Sequence, residues 1–228
     1  MISEKTIIHL IDDDPLLLET TQLLLEQLHL DSIVYQSAED FLEQNKSIKF
    51  DRMRGCIVSD IQMPGMGGLD CQKILKQRAC ALPIIFISGY ADVQIAVKAM
   101  RRGAFNVLEK PVRHSLLIDA IKGAVQKNEA FLDALVNAEN NSSLLKSLTT
   151  RETEVLALVV DGLPNKLIAD KLNICQRTVE VHRAKIMEKM DAKNIATLVR
   201  KVFHAQSSHD KTLNSLLPSD KKDSAIIS

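Results

Sequence analysis

Residues 6–14 read TIIHLIDDD, a β-branched apolar run that ends in three consecutive aspartates. A short and nearly continuous apolar run is typical of a strand buried on both faces of a parallel sheet. Four similar runs follow within the first 128 residues, at 32–35 (SIVY), 56–59 (CIVS), 84–88 (IIFIS) and 105–108 (FNVL). Helical patterns separate them, near 15–28, 38–45, 68–79, 92–102 and 113–128. This alternation predicts an α/β domain over residues 1–128, built on a doubly wound five-stranded parallel sheet.

The C-terminal part has a different pattern. Residues 148–205 show only helical periodicity, which begins with the capping box Thr149-x-x-Glu152. Four helices are expected, the later three at about 165–172, 176–190 and 194–204, so this part is predicted to be a small all-α domain. We interpret the acidic and polar stretch 129–147 as an interdomain linker. The preceding helix can extend into the first residues of this linker. Residues 206–228 are polar and aperiodic, and we expect a disordered tail.

The composition is ordinary for a globular protein. Of the 228 residues, 46% are hydrophobic and 25% are charged, which excludes a fully disordered chain. No apolar run approaches the roughly 18 residues of a membrane span, and the N-terminal apolar stretch runs directly into acids, unlike a signal peptide. We therefore expect a cytoplasmic protein, in which the four cysteines, without a C-x-x-C motif, are free thiols.

The net charge of zero hides an asymmetry along the chain. Residues 1–128 carry 15 Lys or Arg and 16 Asp or Glu, whereas residues 146–206 carry 11 and 7, a net charge of +4. The C-terminal part is therefore the one suited to a polyanion such as nucleic acid, although inert helical domains often carry as much charge.

Polar side chains follow four of the five predicted strands. They are, in chain order, Asp12-Asp13-Asp14, Asp60, Ser88 and Lys110-Pro111. Because the carboxyl ends of parallel strands share one edge of a sheet, these side chains should converge. Packed carboxylates call for a hard cation, and Mg²⁺ suits them because it binds a few carboxylates and keeps several waters. A hydroxyl and an ammonium beside them would coordinate phosphoryl oxygens, and aspartate is an established nucleophile for phosphoryl transfer.

The short sequence motifs around these residues resemble those of the receiver domain of two-component response regulators. They are IDDD, SDIQMPGMGG around Asp60, FISGY around Ser88, and GAFNVLEKP, and the resemblance covers about residues 5–126. It implies that Asp60 is the phosphoacceptor for a histidine kinase, and that Ser88 and Lys110 bind the acquired phosphoryl group. It also implies a cis bond between Lys110 and Pro111, and Mg²⁺ held by Asp12, Asp13, Asp60 and the backbone carbonyl of Gln62.

One position departs from the receiver pattern. Receivers usually carry, three residues before the lysine, an aromatic side chain that turns inward on phosphorylation, whereas this chain has Val107 there. Phe105 lies two residues earlier and is expected on the same face of the strand. Either Phe105 takes part of the switch role, or the switch relies on loop movement alone.

An enzyme is the alternative for this part of the chain. Haloacid-dehalogenase-like phosphatases also place a D-x-D pair after their first strand, and Asp12 and Asp14 have that spacing. Asp12 would then be the nucleophile of a reaction that turns over. Against this, Pro15 and Leu16 stand where that family favours a hydroxyl residue. The sequence motifs further along the chain also fit a receiver better.

Residues 146–204 resemble the LuxR-type helix-turn-helix domain. The motif RTVEVHR at residues 177–183 is the most specific part of this resemblance. In the third helix, Val179, His182 or Arg183, Ile186 and Met190 repeat at helical spacing and should face the core. The opposite face presents Thr178, Val181, Ala184 and Lys185. Small and apolar tips of this kind fit a helix pressed into a major groove, where methyl groups touch thymine and Lys185 reaches guanine or phosphate.

Other residues of this domain have expected roles too. Phosphate contacts are expected from Lys166, Arg177, Arg183 and Lys189. Glu180 would accept a hydrogen bond from cytosine or orient Arg183, and Cys175 is interpreted as a buried small residue. The fourth helix either forms a dimer contact on DNA or only completes the core.

Together the two parts predict a phosphorylation-controlled transcription regulator of the response-regulator class, FixJ/NarL-like, and not a turnover enzyme. Its expected partners are a sensor histidine kinase, promoter DNA and, when phosphorylated, a second copy of the chain. Phosphorylation of Asp60 would reshape the surface around residues 92–102 and 105–108 and so promote dimerisation and promoter binding. A further alternative is an adaptor, in which the receiver relays phosphoryl groups and the helices dock proteins.

Overall fold

The structure, a computed structural model, describes residues 5–89 and 93–206. The chain folds into two compact units that divide between Asp133 and Ala134. Within the described ranges, no helix combines the length and apolar character that a membrane crossing requires. The predicted disordered tail lies outside the described residues except for Gln206, which ends the last helix.

Five parallel strands form a single sheet in the first unit, which confirms the predicted fold class. The strands are β1 (Ile7–Ile11), β2 (Asp31–Tyr35), β3 (Gly55–Asp60), β4 (Ile84–Ser88) and β5 (Asn106–Glu109). Their order in the sheet is β2-β1-β3-β4-β5. Since β1 pairs with both β2 and β3, the strand order reverses there, and this places a crevice at the carboxyl ends of β1 and β3.

Helices cover both faces of the sheet. Helix α1 (Pro15–Gln27) and the first turns of α5 (His114–Lys146) pack on one face, and α2 (Ala38–Gln44), α3 (Gly68–Gln77) and α4 (Val93–Arg101) pack on the other. In β3, Cys56 and Val58 face the first group while Ile57 faces the second. Burial on both faces is why the central strands are apolar at every position rather than at alternate ones.

Helix α5 extends into the acidic stretch, which agrees with the alternative that this stretch begins as an extension of the preceding helix. The expected end was near residue 128, but the helix continues to Lys146 through most of the acidic and polar stretch. Leu132 and Ala138 are buried within this extension. Helix propensity is a weak prior, and burial of these apolar side chains in the tertiary structure overrides the Asn-Asn-Ser-Ser run. That residues 129–147 act as an interdomain linker stays a prediction.

The second unit contains the four predicted helices, α6 (Thr150–Val160), α7 (Asn165–Leu172), α8 (Gln176–Lys189) and α9 (Ile195–Gln206). The capping box at the start of α6 is confirmed. The Thr149 hydroxyl accepts from the Glu152 amide, and the Glu152 carboxylate accepts from the Thr149 amide at 2.8 Å. The core of this unit joins all four helices through Val155, Ile168, Val179, Ile186 and Leu198.

Candidate functional site

Three aspartates meet at the carboxyl edge of the sheet, where the strand order reverses. Asp60 ends β3, and Asp12 and Asp13 directly follow β1, the neighbouring strand. One carboxylate oxygen from each of the three lies within 4.8 Å of those from the other two. Asp12 and Asp60 are buried and Asp13 is exposed, so the cluster can be reached from solvent at Asp13.

Lys110, directly after β5, joins this cluster. Its Nζ donates to Asp12 Oδ2 at 3.1 Å and to Asp60 Oδ2 at 2.5 Å. Its backbone amide donates at 2.8 Å to the carbonyl of Ser88, a buried residue at the end of β4. The structure therefore brings Asp12, Asp60, Ser88 and Lys110 to one edge, as the sequence predicted. The cis bond between Lys110 and Pro111 is confirmed.

The second oxygen of each buried carboxylate accepts from a backbone amide. Asp12 Oδ1 accepts from Asp14 at 2.9 Å, and Asp60 Oδ1 accepts from Gln62 at 2.9 Å. Asp14 itself caps the N-terminus of α1. The two short loops that follow β1 and β3 are thus folded onto the carboxylates they carry, which fixes the direction of both side chains.

The charges of the cluster are only partly compensated. Burial raises the pKa of Asp12 above its ordinary value, although the Asp14 amide and Lys110 act in the opposite direction. Burial would lower the pKa of Lys110, but its hydrogen bonds to Asp60 and Asp12 outweigh this effect and raise it. Lys110 therefore stays charged at neutral pH, and one ammonium is shared among several carboxylates. Such a set of oxygen ligands is suited to a divalent cation.

Phe105 and Val107 do not share a face, contrary to the sequence prediction. Val107 packs with the cluster that contains Phe86 and Ala99, on the α4 side of the sheet, whereas Phe105 packs with the α5 side. The Lys127 ammonium on α5 lies 5.5 Å from the centre of the Phe105 ring. The alternation rule failed because β5 begins at Asn106, so Phe105 lies outside the regular strand. A switch role for Phe105 therefore stays an untested prediction, without the shared face that suggested it.

Helix α8 has the two faces that the sequence predicted. Val179, Ile186 and Met190, at the helix end, are fully buried, while Val181 is 44% exposed. Ala184 and Lys185 are also exposed, and Thr178 and Arg183 are half-buried. Lys166 on α7 is exposed, and Arg177 forms an exposed ion pair with Glu180 at 3.2 Å.

Two further residues of this unit differ from expectation. Cys175 is exposed rather than buried, because it is the N-cap of α8 and its thiol contacts the Thr178 hydroxyl at 3.0 Å. Lys189 is half-buried and bonds within its own unit, where its Nζ donates to Glu152 Oε2 at 2.7 Å and to the Ser147 carbonyl at 3.3 Å. A DNA contact by Lys189 stays an untested prediction, but its ammonium already has an acidic partner.

One contact near the acidic cluster was not foreseen. Glu39 Oε1 on α2 accepts from the backbone amide of Met66 at 2.7 Å, in the loop between β3 and α3. The two residues are 27 positions apart, and no local pattern relates a helix N-terminus to a distant loop, so sequence reasoning had no signal for this contact.

Comparisons with known proteins match both parts of the chain. Residues 8–122 match the response regulator receiver domain, and residues 146–202 match the luxR family of bacterial regulatory proteins. The transcriptional regulatory protein TdiR of Thauera aromatica is 36% identical over 200 residues, which cover 88% of this chain and 86% of that protein. The transcriptional regulatory protein FixJ of Bradyrhizobium diazoefficiens is 34% identical over 209 residues, which cover 92% of this chain and 100% of FixJ.

Solved structures agree with these matches. The response regulator StyR superposes with a TM-score of 0.75 at 36% identity, covering 87% of this chain and 98% of StyR. Full-length FixJ from B. japonicum gives a TM-score of 0.55 at 34% identity, covering 89% of this chain and 98% of FixJ. TdiR and FixJ are both transcriptional regulatory proteins, so the comparisons favour a response regulator over the phosphatase alternative.

Proposed function

Because the chain belongs to the two-component response regulators that carry a luxR-family DNA-binding domain, we propose that Asp60 accepts a phosphoryl group from a histidine kinase and that this controls promoter binding. The observation that carries the proposal is the pair of hydrogen bonds from Lys110 to Asp12 and Asp60, beside the exposed carboxylate of Asp13. A nucleophilic carboxylate, further acids and a fixed cation are the parts that phosphoryl transfer to aspartate needs.

In this transfer a carboxylate oxygen of Asp60 attacks the phosphorus of a phosphohistidine. The P–N bond breaks, the imidazole leaves, and an acyl phosphate remains on Asp60. Lys110 already contacts Asp60 Oδ2 and can turn to donate to a phosphoryl oxygen without leaving the edge of the sheet. Ser88, at the end of the adjacent strand β4, offers a hydroxyl to a second phosphoryl oxygen.

We assign Mg²⁺ to the carboxylates of Asp12, Asp13 and Asp60, together with the backbone carbonyl of Gln62. The residues fit this ion because the donors are oxygen atoms, three carboxylates lie within 4.8 Å of one another, and one of them is exposed. When bound, Mg²⁺ would neutralise the negative charge that the carboxylates share with the incoming phosphoryl oxygens.

We assign DNA reading to α8. Its exposed methyl groups and Lys185 are suited to base edges in a major groove, and nearby basic residues are suited to phosphates. The proposed base-reading residues are Thr178, Val181, Ala184 and Lys185, and the proposed phosphate contacts are Lys166, Arg177 and Arg183. Glu180 forms an exposed ion pair with Arg177, and its proposed roles remain those of accepting from cytosine or orienting Arg183.

The proposed switch links the two activities through dimerisation. On α4, Val93, Val97 and Met100 form an exposed apolar stripe at helical spacing. An exposed stripe of this kind favours contact with another protein surface, here a second phosphorylated copy. Because Phe105 packs on the α5 side of the sheet, we propose that the switch works by loop movement. A cytoplasmic location remains a prediction.

Acetyl phosphate with Mg²⁺ tests the proposal, because this mixed anhydride can phosphorylate an aspartate without a kinase. Intact mass is compared for the wild type and Asp60→Asn, and we expect a gain of one phosphoryl group in the wild type alone. A gain in both proteins would place the phosphoryl group elsewhere. No gain in the wild type would contradict the proposed site.

A further inference from the structure

The loop between β3 and α3, residues 61–67, carries Gln62, and four of its hydrogen bonds determine how it is held. Three of them involve the loop ends: Ile61 donates to the carbonyl of Ile87 at 3.1 Å, Gly68 to that of Ile61 at 3.0 Å, and Gln62 to Asp60 at 2.9 Å. The fourth is the hydrogen bond from Met66 to Glu39 Oε1 at 2.7 Å. Glu39 is thus the point at which α2 holds the far side of this loop.

The backbone of the loop packs directly against the Glu39 carboxylate. Gly65 has a φ of +75°, and a Cβ at this position would lie 2.6 Å from Glu39 Oε1. The close approach therefore needs a residue without a side chain, in a conformation that glycine adopts readily. The contact lies at the surface, since Glu39 is exposed, but the loop backbone approaches this carboxylate closely at both Gly65 and Met66.

Glu39 also lies near the start of α3. Burial raises the pKa of the Cys71 thiol to about 12. The negative charges of Cys80 and, to a smaller extent, Glu39 raise it further. The N-cap of α3, Gly67, has no side chain with which to cap the helix. An anion near this helix terminus is favourable because the exposed amides there carry partial positive charge. Glu39 therefore lies beside the turn that leads into α3 and contacts the loop at Met66.

We propose that Glu39 is a positioning residue for the Mg²⁺ site. By holding Met66 it fixes the loop, and the loop presents the carbonyl of Gln62 to the ion. The inference rests on the proposed function, which assigns Mg²⁺ to this edge. Without the bond to Glu39 the loop keeps its attachments at both ends, so the fold persists while the carbonyl loses its fixed direction.

Two variants separate positioning from charge. Glu39→Gln keeps an acceptor oxygen at the same reach but has no charge, whereas Glu39→Asp keeps the charge on a side chain one methylene shorter. If Glu39 acts by position, the Gln variant binds Mg²⁺ nearly as the wild type does and the Asp variant binds it weakly. If it acted only by charge, the order would be reversed. The matched control is Glu43→Gln, one helical turn along α2, where the carboxylate pairs with Lys46 instead.

The measurement is a titration of the full-length protein with MgCl₂, followed by NMR at the backbone amides of Asp13 and Gln62. We expect Glu39→Asp to raise the Mg²⁺ Kd by about 10-fold, at the lower end of the effects seen for residues that orient metal ligands. Glu39→Gln and Glu43→Gln should remain close to wild type. At saturating Mg²⁺, acetyl phosphate should phosphorylate Glu39→Asp to the wild-type extent, because the loss is in metal affinity alone.

The possible outcomes distinguish this inference from the proposed function. If the wild type binds Mg²⁺ and Glu39→Asp binds it equally well, the inference is wrong and the proposed function stands. A Gln variant that binds Mg²⁺ as weakly as the Asp variant would also overturn it, because an acceptor oxygen at the same reach would then not be sufficient. A Glu43→Gln variant with the same loss would overturn it too, because the loss of any negative charge on α2 would then have this effect. If the wild type shows no Mg²⁺-dependent shifts at Asp13 and Gln62, the metal assignment fails and the inference fails with it.

Discussion

Two buried carboxylates of this protein, Asp12 and Glu152, have pKa values shifted in opposite directions. Burial raises the pKa of Asp12, which shares the single ammonium of Lys110 with Asp60. Hydrogen bonds from Lys189 and from the Thr149 amide hold the pKa of Glu152 at about 2. A carboxylate with a shared counter-charge can exchange that partner for a cation, whereas one with its own ammonium and a capping amide is a fixed part of the fold.

The Glu152–Lys189 pair predicts a specific pH dependence of stability. Because the pKa of Glu152 in the folded state lies below the ordinary 4.5, its contribution is present above pH 4.5 and is lost as pH falls towards 2. We expect Glu152→Gln to melt about 3 °C below the wild type at pH 7, and the gap to close over this window. Circular dichroism measures this difference in melting temperature between the two proteins at a series of pH values from 7 down towards 2. A gap independent of pH would show that packing, and not the charge of Glu152, stabilises the helix start.

At the scale of elements, the apolar runs predicted five strands and their order along the chain, but they did not predict where elements end. Helix α5 continues through an Asn- and Ser-rich stretch because buried Leu132 and Ala138 outweigh weak local preferences. Strand β5 begins one residue after Phe105, which reverses the face assigned to that ring. The contact of Glu39 with Met66 depends on tertiary structure, so no local pattern could predict it.

Helix α8 and its neighbours allow a comparison of two lysines that the sequence assigned the same role. Lys166 is exposed, whereas Lys189 is bound to Glu152. We expect Lys166→Gln to reduce the slope of log K against log salt concentration for nonspecific duplex DNA by about 1 per bound copy, since one phosphate contact is lost. Lys189→Gln, which keeps a donor for Glu152, should leave the slope unchanged. An equal reduction of this slope in both variants would show that Lys189 also contacts DNA.

At the scale of the whole molecule, the two halves belong to families that complement each other, a phosphorylatable receiver and a DNA-binding domain. The acidic cluster could be predicted from sequence because its members come from strand ends, and the parallel topology forces strand ends together. A local chemical event at Asp60 can reach the DNA-binding unit only through an equilibrium between states of the protein. Dimerisation is such an equilibrium, and it can be measured.

Phosphorylation is therefore expected to change oligomeric state and DNA affinity together. Wild type treated with acetyl phosphate should shift from monomer to dimer in sedimentation equilibrium, and Asp60→Asn should stay monomeric under the same conditions. A dimer binds its second half-site intramolecularly, so its affinity for an inverted-repeat site should rise by about 100-fold or more over that of the monomer. Val97→Asp, which places a charge in the apolar stripe of α4, should still accept the phosphoryl group but lose both effects. If untreated Asp60→Asn bound such a site as tightly as phosphorylated wild type, control by phosphorylation would be wrong, and DNA binding would depend on the helical unit alone.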